Sequence, residues 1–496
     1  MSTTASGRTV DVVDTTTRDG QQSLWGAVGV TTADILGIAP TMDQVGFHAC
    51  DFASSTHMAV AVRFHKEDPW ERLRLVKAAM PSTTLSFITP GMRFITWVPV
   101  AEDVMELVFR CIARNGINRV QIADPSNDPA RLRRVATLAK REGVEEVVVA
   151  LTYSVDEVHT IAYYAERAAA LADCAEMDRL YLKDPGGLVT PEVVRELAGH
   201  FRAAAGERPI ELHSHCTIGL APFVYMEGLK AGFEVLHTAV FPLARGTSNP
   251  ETLATLRNLE AEGFTHRLDT EALAAMSEYF RELGREKGFP EGRPQEFDAS
   301  YYRHQLAGGM VSTTQRMLEE MGRPELFDAV LEEVSRVRAE MGYPIIVTPV
   351  SQLVATQAVR NIIDGERWAN VSDETVRYFL GHYGEPAAPV DPDVAERVLS
   401  LPRVNELRHL EPVSLAGARR RFGPRISDEE LLLRLTMPAE QVDAALSAPS
   451  AARARAAVGN GRHPVVRLLR EVSKRESVRY LRVEKDDDLV VWRRAT

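Results

Sequence analysis

The sequence predicts an α/β fold, a (β/α)8 TIM barrel followed by a mostly helical C-terminal domain. Over the first 300 residues, short β-branched apolar runs alternate with longer amphipathic stretches, which is the pattern of successive βα units in a parallel sheet. Beyond about residue 300 the strand patterns fade and helical periodicity replaces them. Eight strand-like runs are present, and eight parallel strands with eight crossovers close naturally into a barrel.

A plausible helix follows each of these runs, for example Val104–Asn115 and Pro191–Ala205. An open, doubly wound sheet is the rival architecture, but no GxGxxG turn follows the first run. The predicted strands are Val10–Thr16, Gly46–Phe52, Thr84–Thr89, Arg119–Ala123, Glu145–Thr152, Arg179–Leu182, Pro209–His213 and Glu234–Val240.

Helical patterns dominate the C-terminal part, with a Pro-rich break at residues 386–392. We therefore expect a barrel domain at residues 1–300, a helical domain at 301–450 and a tail of unknown role at 451–496. The tail ends in a strand-like stretch, Ser477–Trp492. The predicted helices are Thr313–Met321, Glu325–Met341, Pro349–Asp364, Asp373–Gly381 and Asp393–Ser400.

Composition narrows the class of protein. The formal net charge of -11 argues against a nucleic-acid-binding surface, and the basic run Arg419–Arg421 is interpreted as the solvated face of a helix. Four scattered cysteines without a CxxC pair are typical of a reducing compartment. No apolar run approaches the ~20 residues that span a bilayer, and the N-terminus lacks the order of a secretory signal. We expect a cytoplasmic protein without a membrane span.

Candidate catalytic groups stand at three strand ends, where the active site of such a barrel lies. The first predicted strand leads into Asp19, the sixth into Lys183, and the seventh into His213 and His215. Because side chains alternate along a strand, the two imidazoles share one face and could hold a metal ion together with Asp19. The alternative is that the two histidines only line a polar pocket.

Lys183 is the unusual group among these residues. A lysine at a barrel mouth is commonly a salt-bridge partner, and a protonated lysine repels a metal ion. Burial or a nearby cation lowers the pKa of a lysine and frees its neutral amine. A neutral amine can add carbon dioxide and become a carbamate, which is an anionic oxygen ligand.

Nine segments of the chain match one known family in the same order. They are DTTTRDGQQSL (14–24), DQVGFHACDF (43–52), RFHKEDPWERLRLVKAAMP (63–81), YLKDPGGLVTP (181–191), ELHSHCTIGLAP (211–222), PLARGTSNPET (242–252), LAGGMVST (306–313), EEVSRVRAEMGYPIIVTPVSQLVATQAVRNII (332–363) and HYGEPAAPVDP (382–392). These segments resemble the carboxyltransferase of pyruvate carboxylase, and equally the alpha subunit of oxaloacetate decarboxylase and the metal-bearing subunit of transcarboxylase. The resemblance covers about residues 8–440.

The resemblance implies a metal-dependent biotin carboxyltransferase. Asp19, His213 and His215 would bind a divalent ion, zinc, cobalt or manganese, with carbamylated Lys183 as the fourth ligand. The enzyme would move CO2 between carboxybiotin on a carrier and an enolisable carbonyl acceptor, in the direction of carboxylation or of decarboxylation.

The resemblance also implies three further catalytic residues. Arg18 and Gln22 match positions that line the site. Ser312 falls where the family has a hydroxyl that shuttles a proton between biotin and the acceptor. A serine in this segment is also an ordinary helix N-cap.

Several substrate-side positions depart from the family pattern. The family reads FRxFD at strand four and LLRGQN at strand three, whereas this chain has VQIAD and ITPGMR, so Gln121 and Pro90 replace two arginines. A neutral amide cannot form the charged fork that a carboxylate prefers. We therefore expect an acceptor other than ordinary pyruvate, and Gln121, Arg18, Arg93 or His57 would help to hold it. His57 lies in the segment FASSTH, where the family has WGGATF.

The sequence also bears on partners. The family's biotin carriers present a Met-Lys-Met triplet, which this sequence lacks, and no ATP-grasp glycine-rich loop precedes the barrel. We expect a separate biotin carboxyl carrier protein, a biotin carboxylase subunit, a small-molecule acceptor and a homo-oligomer.

Three alternatives stay open. Claisen-type acyl-CoA lyases and synthases share the barrel, the strand-one Arg-Asp and the His-x-His, but Lys183-Asp184 and the helical extension favour a carboxyltransferase. A non-catalytic subunit that only docks a carrier is the second. A scaffolding protein with a degenerate acceptor pocket is the third.

Overall fold

The computed structural model describes residues 7–95, 99–306, 308–409, 412–450, 478–485 and 488–493. The N-terminal part is a closed barrel of eight parallel strands in chain order, which together with the helices that follow it confirms the predicted fold class. The strands are β1 (Asp11–Asp14), β2 (Ala49–Ser54), β3 (Leu85–Thr89), β4 (Arg119–Ile122), β5 (Glu146–Thr152), β6 (Arg179–Asp184), β7 (Ile210–Ser214) and β8 (Val235–Thr238).

Helices cover the outside of the barrel, and at least one follows every strand. They are α1 (Gln21–Trp25), α2 (Thr32–Gln44), α3 (Ser55–Val60), α4 (Pro69–Ala79), α5 (Glu102–Arg114), α6 (Pro129–Arg141), α7 (Ile161–Ala169), α8 (Pro191–Ala205), α9 (Ala221–Ala231), α10 (Thr252–Ala261) and α11 (Thr270–Lys287). Local sequence starts several of them. Asp68 and Asp128, each followed by proline, accept hydrogen bonds from the backbone N–H of Trp70 and Ala130 at 2.9 and 2.8 Å.

Strand β1 is shorter than predicted. The Asp14 carboxylate accepts hydrogen bonds from the backbone N–H of Thr16, at 3.2 Å, and from the Thr16 hydroxyl. Such a side-chain bond competes with the strand ladder. The chain therefore leaves the strand and forms a π-helical turn, Thr16–Gly20, which carries Asp19 into the barrel mouth.

Strand β6 is longer than predicted, and β7 has the predicted length but begins and ends one residue later. Their register pairs Lys183 with His213 and Asp184 with Ser214, so the backbone ladder reaches the functional residues. This pairing places Lys183 and His213 side by side.

The C-terminal part is helical, and each of the five predicted helices is present. The first begins five residues earlier than predicted, and all other ends lie within two residues of the prediction. One apolar cluster runs from Leu306 to Leu407. The helices are α12 (Tyr301–His304), α13 (Gly308–Glu320), α14 (Phe327–Glu340), α15 (Val350–Asp364), α16 (Asp373–Phe379), α17 (Pro392–Leu399), α18 (Val404–Arg408), α19 (Leu415–Phe422), α20 (Asp428–Thr436) and α21 (Ala439–Ser447).

Helices α19–α21 pack on the barrel instead of on the other C-terminal helices. Leu432 and Met437 belong to the apolar cluster of the barrel. The indole N–H of Trp70 also donates to the Glu429 carbonyl at 3.2 Å. The division into a barrel domain at residues 1–300, a helical domain at 301–450 and a tail at 451–496 stays a prediction.

A buried ion pair joins the two parts. Arg338 on α14 donates to the Asp156 carboxylate and, at 2.7 Å, to the Ser154 hydroxyl in the loop after β5. Ser154 in turn donates to the Gln305 amide oxygen at 2.8 Å.

The strand-like end forms two antiparallel strands, β9 (Tyr480–Lys485) and β10 (Asp488–Arg493). Within the described residues, none of the helices has both the length and the apolar character that a membrane crossing requires.

Candidate metal centre

Three predicted ligands converge at the barrel mouth. The Nε2 atoms of His213 and His215 lie 3.2 and 3.3 Å from one carboxylate oxygen of Asp19, Oδ2. Candidate ligand atoms of these three buried residues all lie within 4.8 Å of one another. Two imidazole nitrogens and a carboxylate oxygen are a usual donor set for a divalent transition metal.

The hydrogen bonding of His215 fits a cation at this point. Its Nδ1 lies 2.6 Å from the Thr247 carbonyl, which can only accept, so Nδ1 carries the proton. In the neutral imidazole the lone pair is then on Nε2 and faces the Asp19 carboxylate at 3.3 Å. A lone pair against an anion is unfavourable unless a positive charge lies between them, so the residues present fit a bound metal.

Asp19 is ionised in this surrounding. Burial by itself would raise the pKa of its carboxyl, but Arg18, His215 and Lys183 hold that pKa well below its usual value. Arg18 lies 3.1 Å from Asp19 and is also held by Asp51, to which its Nε donates at 2.8 Å. Asp51 therefore orients Arg18, and Arg18 keeps Asp19 charged.

Lys183 completes the cluster. Its Nζ lies 3.6 Å from Asp19 Oδ2 and 3.4 Å from His213 Nε2. Burial lowers the pKa of Lys183 to about 8, although Asp19 acts in the opposite direction. A substantial fraction of the amine is thus neutral near physiological pH.

Burial likewise holds the pKa of His213 well below its usual value, with the charge of Lys183 as the second cause. The imidazole of His213 is therefore neutral, which is the form that binds a metal.

A second polar layer lies below the cluster. The Tyr181 hydroxyl is 3.3 Å from His237 Nδ1, and His237 Nε2 is 2.9 Å from the Glu211 carboxylate, which also binds Arg119 at 2.5 Å. Sequence analysis did not single out these residues. Arg119, Tyr181 and Glu211 each lie two positions before a predicted site residue on β4, β6 and β7, so strand periodicity contained a signal for these three. His237 lies on β8, which carries none of the predicted site residues.

The turn after β8 was also missed. Thr247 fixes His215 through its carbonyl, and the Asn249 amide nitrogen lies 3.3 Å from His213 Nε2. These residues stand more than 30 positions from the histidines they contact, and only the closed barrel brings them together.

The predicted substrate-side residues are differently placed. Gln121 is fully buried, donates to the Ser86 hydroxyl at 3.0 Å, and has no partner for Oε1 among the described residues. His57 is buried in α3, with Nδ1 2.9 Å from the Ser54 hydroxyl. Arg93 donates to the Pro90 carbonyl at 2.8 Å, and its guanidinium lies 4.9 Å from the centre of the Tyr383 ring.

Two predicted catalytic residues are described only in part. Gln22 is half-buried on α1, directly after the π-helical turn that carries Asp19. Ser312 lies in α13, but its side chain is outside the described residues.

Two protein-family models together match most of this chain. The HMGL-like family model matches residues 9–279, and the conserved carboxylase domain model matches residues 301–448. A pyruvate carboxylase subunit of Methanocaldococcus jannaschii is 38% identical over 392 residues, 79% of this chain and 68% of that protein. The methylmalonyl-CoA carboxyltransferase 5S subunit of Propionibacterium freudenreichii subsp. shermanii is 30% identical over 390 residues, 78% of this chain and 76% of that protein.

The solved carboxyl transferase domain of Rhizobium etli pyruvate carboxylase has the same fold. It superposes with a TM-score of 0.79 at 23% identity, covering 88% of this chain and 77% of that one. With the sequence relatives, this shows that the chain is an enzyme of the carboxyltransferase family of biotin-dependent carboxylases and transcarboxylases.

Proposed function

We propose that the chain transfers a carboxyl group between carboxybiotin and an enolisable carbonyl acceptor at a metal centre formed by Asp19, His213 and His215. The observation that carries the proposal is the convergence of these three ligand atoms beside the buried Lys183. Zinc, cobalt and manganese all suit this donor set. When bound, the ion would supply a Lewis acid for the acceptor's carbonyl oxygen.

Lys183 contributes a nucleophilic amine. Its neutral Nζ attacks carbon dioxide and loses one proton, which leaves a carbamate whose oxygen can serve as a fourth ligand. Overall, conversion of the ammonium form into the carbamate replaces a positive charge beside Asp19 with a negative one, so the lysine changes from a repulsive into an attractive neighbour of a cation.

The proton transfer is assigned to Ser312. Carboxybiotin loses carbon dioxide, and the resulting biotin enolate takes a proton from the acceptor's α-carbon through the Ser312 hydroxyl, as a positioned acid and base. The acceptor enolate then forms a carbon–carbon bond to the released carbon dioxide. In the reverse direction the same steps decarboxylate the product.

We propose that the acceptor is not ordinary pyruvate, or that this site holds it in a different way. Gln121 offers a neutral amide, Arg18 is already paired with Asp51 and Asp19, and Arg93 is bound to a backbone carbonyl. These arrangements favour an acceptor that does not rely on a free guanidinium for its carboxylate.

The reaction needs a source of carboxybiotin. We propose a separate biotin carboxyl carrier protein as the donor and a biotin carboxylase subunit that loads it, and we also propose a homo-oligomeric assembly and a cytoplasmic location. Mixing the purified chain with a biotinylated carrier and measuring complex formation would test the first of these.

The direct experiment compares the wild type with Lys183→Ala. We would measure bound metal and the carboxylation of pyruvate, 2-oxoglutarate and a short acyl-CoA from free carboxybiotin, together with biotin-stimulated decarboxylation of oxaloacetate. Lys230→Ala is the matched control, because Lys230 pairs with Glu227 and Glu262 on the surface.

Activity that is lost in Lys183→Ala and kept in Lys230→Ala would support the proposal. Metal binding with activity on acceptors other than pyruvate would support the changed pocket. Efficient use of pyruvate would contradict the changed acceptor pocket. A wild type without metal or activity would favour a carrier-docking or scaffolding subunit.

A further inference from the structure

The two predicted histidine ligands are held in different ways. His215 is oriented by a hydrogen bond, because its Nδ1 lies 2.6 Å from the Thr247 carbonyl. The Nδ1 atom of His213 is buried and has no hydrogen-bond partner among the described residues. A histidine that binds a metal ion usually donates its other ring N–H to a partner that fixes the ring. His213 therefore needs another constraint on its orientation.

The contacts of His213 Nε2 cannot supply that constraint. This atom lies 3.2 Å from Asp19 Oδ2, 3.3 Å from the Asn249 amide nitrogen and 3.4 Å from Lys183 Nζ. An ion bound by Asp19 and His213 would occupy the lone pair of Nε2. The imidazole must then be held through the faces and edges of its ring.

Two other rings inside the barrel contact the ring of His213. The centre of the Tyr181 ring lies 5.9 Å from the centre of the His213 ring, at an interplanar angle of 82°, and the His237 ring lies 5.4 Å away, at 72°. Edge-to-face contacts at such distances are favourable. Tyr181 and His237 also stack on each other, with ring centres 4.6 Å apart. His213 thus packs against a pair of stacked rings.

The same tyrosine ring contacts Lys183. The Lys183 Nζ atom lies 5.8 Å from the centre of the Tyr181 ring. Tyr181 comes two residues before Lys183 on β6, so both side chains are on the same face of the strand. One ring therefore lies against two of the four predicted ligands.

A chain of hydrogen bonds fixes Tyr181. The Glu211 carboxylate accepts from Arg119 at 2.5 Å and lies 2.9 Å from His237 Nε2. Burial by itself would raise the pKa of the Glu211 carboxyl, but Arg119 and His237 hold that pKa below its usual value. The carboxylate can only accept, so Nε2 of His237 carries the proton, and in the neutral imidazole Nδ1 accepts from the Tyr181 hydroxyl at 3.3 Å. The direction of donation is thus set along the whole chain.

We propose that Tyr181, anchored by His237, is a positioning residue whose ring sets the orientation of His213 for metal binding. This inference rests on the metal centre proposed above.

The test measures the affinity of the metal-free protein for Co2+ by competition with a chromophoric chelator, together with the visible absorption of the bound ion. We expect Tyr181→Leu to weaken Co2+ binding about 10- to 100-fold and to alter the absorption spectrum, as does the loss of other groups that orient a metal ligand. Phe109→Leu is the matched control, because Phe109 is a fully buried ring on helix α5, outside the barrel. The affinity of this control should stay within about twofold of wild type.

A second variant keeps the test valid if Tyr181→Leu folds poorly by circular dichroism. Tyr181→Phe keeps the ring and removes only the hydroxyl, and it should weaken Co2+ binding about 2- to 10-fold, the effect of one lost hydrogen bond. In a His237→Phe background the same substitution should have no further effect, since the hydroxyl acts through His237.

Equal Co2+ affinity in wild type and Tyr181→Leu, or an equal loss in Phe109→Leu, would overturn the inference. If Tyr181→Leu does not fold, wild-type affinity in Tyr181→Phe would overturn it, as would additive losses of Tyr181→Phe and His237→Phe. A wild type that binds no Co2+ would overturn the metal centre itself, and the role of Tyr181 with it.

Discussion

Lys183 carries a positive charge in water, but the barrel mouth changes that state. Burial removes the solvent that stabilises the ammonium group, and the pKa falls from 10.5 to about 8 even though Asp19 opposes the shift. The neutral fraction of Lys183 therefore grows as the pH rises through about 8.

Carbamate formation at Lys183 should follow this titration. We expect Co2+ uptake by the metal-free protein, at constant dissolved carbon dioxide, to increase with pH with a midpoint near 8. In Lys183→Ala the dependence on carbon dioxide should disappear. A midpoint above about 10, as for an unperturbed lysine, would contradict the assignment.

The role of Gln121 in acceptor choice can be tested by restoring the arginine that the family has at this position. We expect Gln121→Arg to raise kcat/KM for pyruvate about 10- to 100-fold, because a charge-assisted hydrogen bond to a carboxylate contributes about 1.5–3 kcal/mol. Gln121→Met, of similar size and without charge, is the control and should not improve pyruvate use. An arginine variant no better than wild type would show that another residue sets the acceptor.

At the scale of elements, strands β6 and β7 position the chemistry and helix α14 joins the two parts of the molecule. The register of β6 and β7 places Lys183 beside His213. The buried Arg338 on helix α14 forms an ion pair with Asp156, in the loop that follows β5. Breaking a buried pair leaves an uncompensated charge, which costs more than the pair itself contributes.

Arg338→Met should therefore destabilise the protein by about 3–5 kcal/mol, measured by denaturant unfolding. Arg336 lies on the same helix, is exposed, and is 3.9 Å from Glu333, so Arg336→Met is the matched control with an expected change of less than about 1 kcal/mol. Equal effects of the two substitutions would show that the interface does not depend on the buried pair.

For the whole molecule, the two largest apolar clusters do not follow the order of the chain. Helices α19–α21 come after the residues of the cluster between Leu306 and Leu407 in the sequence, but they pack on the barrel. Substitutions in α20 should therefore act on the barrel.

We expect Leu432→Ala and Leu318→Ala each to cost about 2–5 kcal/mol, because both remove buried methyl groups. Hydrogen exchange should then increase in α4 and α5 for Leu432→Ala, and in α14 and α15 for Leu318→Ala. The same exchange pattern in both variants would mean that the clusters unfold as one unit.

The sequence predicted most of the barrel, because its strands are near-continuous apolar runs separated by amphipathic helices. It was least accurate at strand ends, where single side chains decide the outcome. Asp14 ended β1 early by binding Thr16, and pairing with β7 extended β6 through Asp184.

The sequence by itself determined the strand order, the helical extension and the residues Asp19, Lys183, His213 and His215 as one group, because a parallel barrel brings its strand ends together. Only the tertiary structure decided what surrounds that group. The bonds of Asp51 to Arg18, Thr247 to His215 and Asn249 to His213 join residues more than 30 positions apart, and no local pattern specifies such pairs. The lowered pKa of Lys183 has the same origin, since burial is a property of the closed barrel and not of any segment.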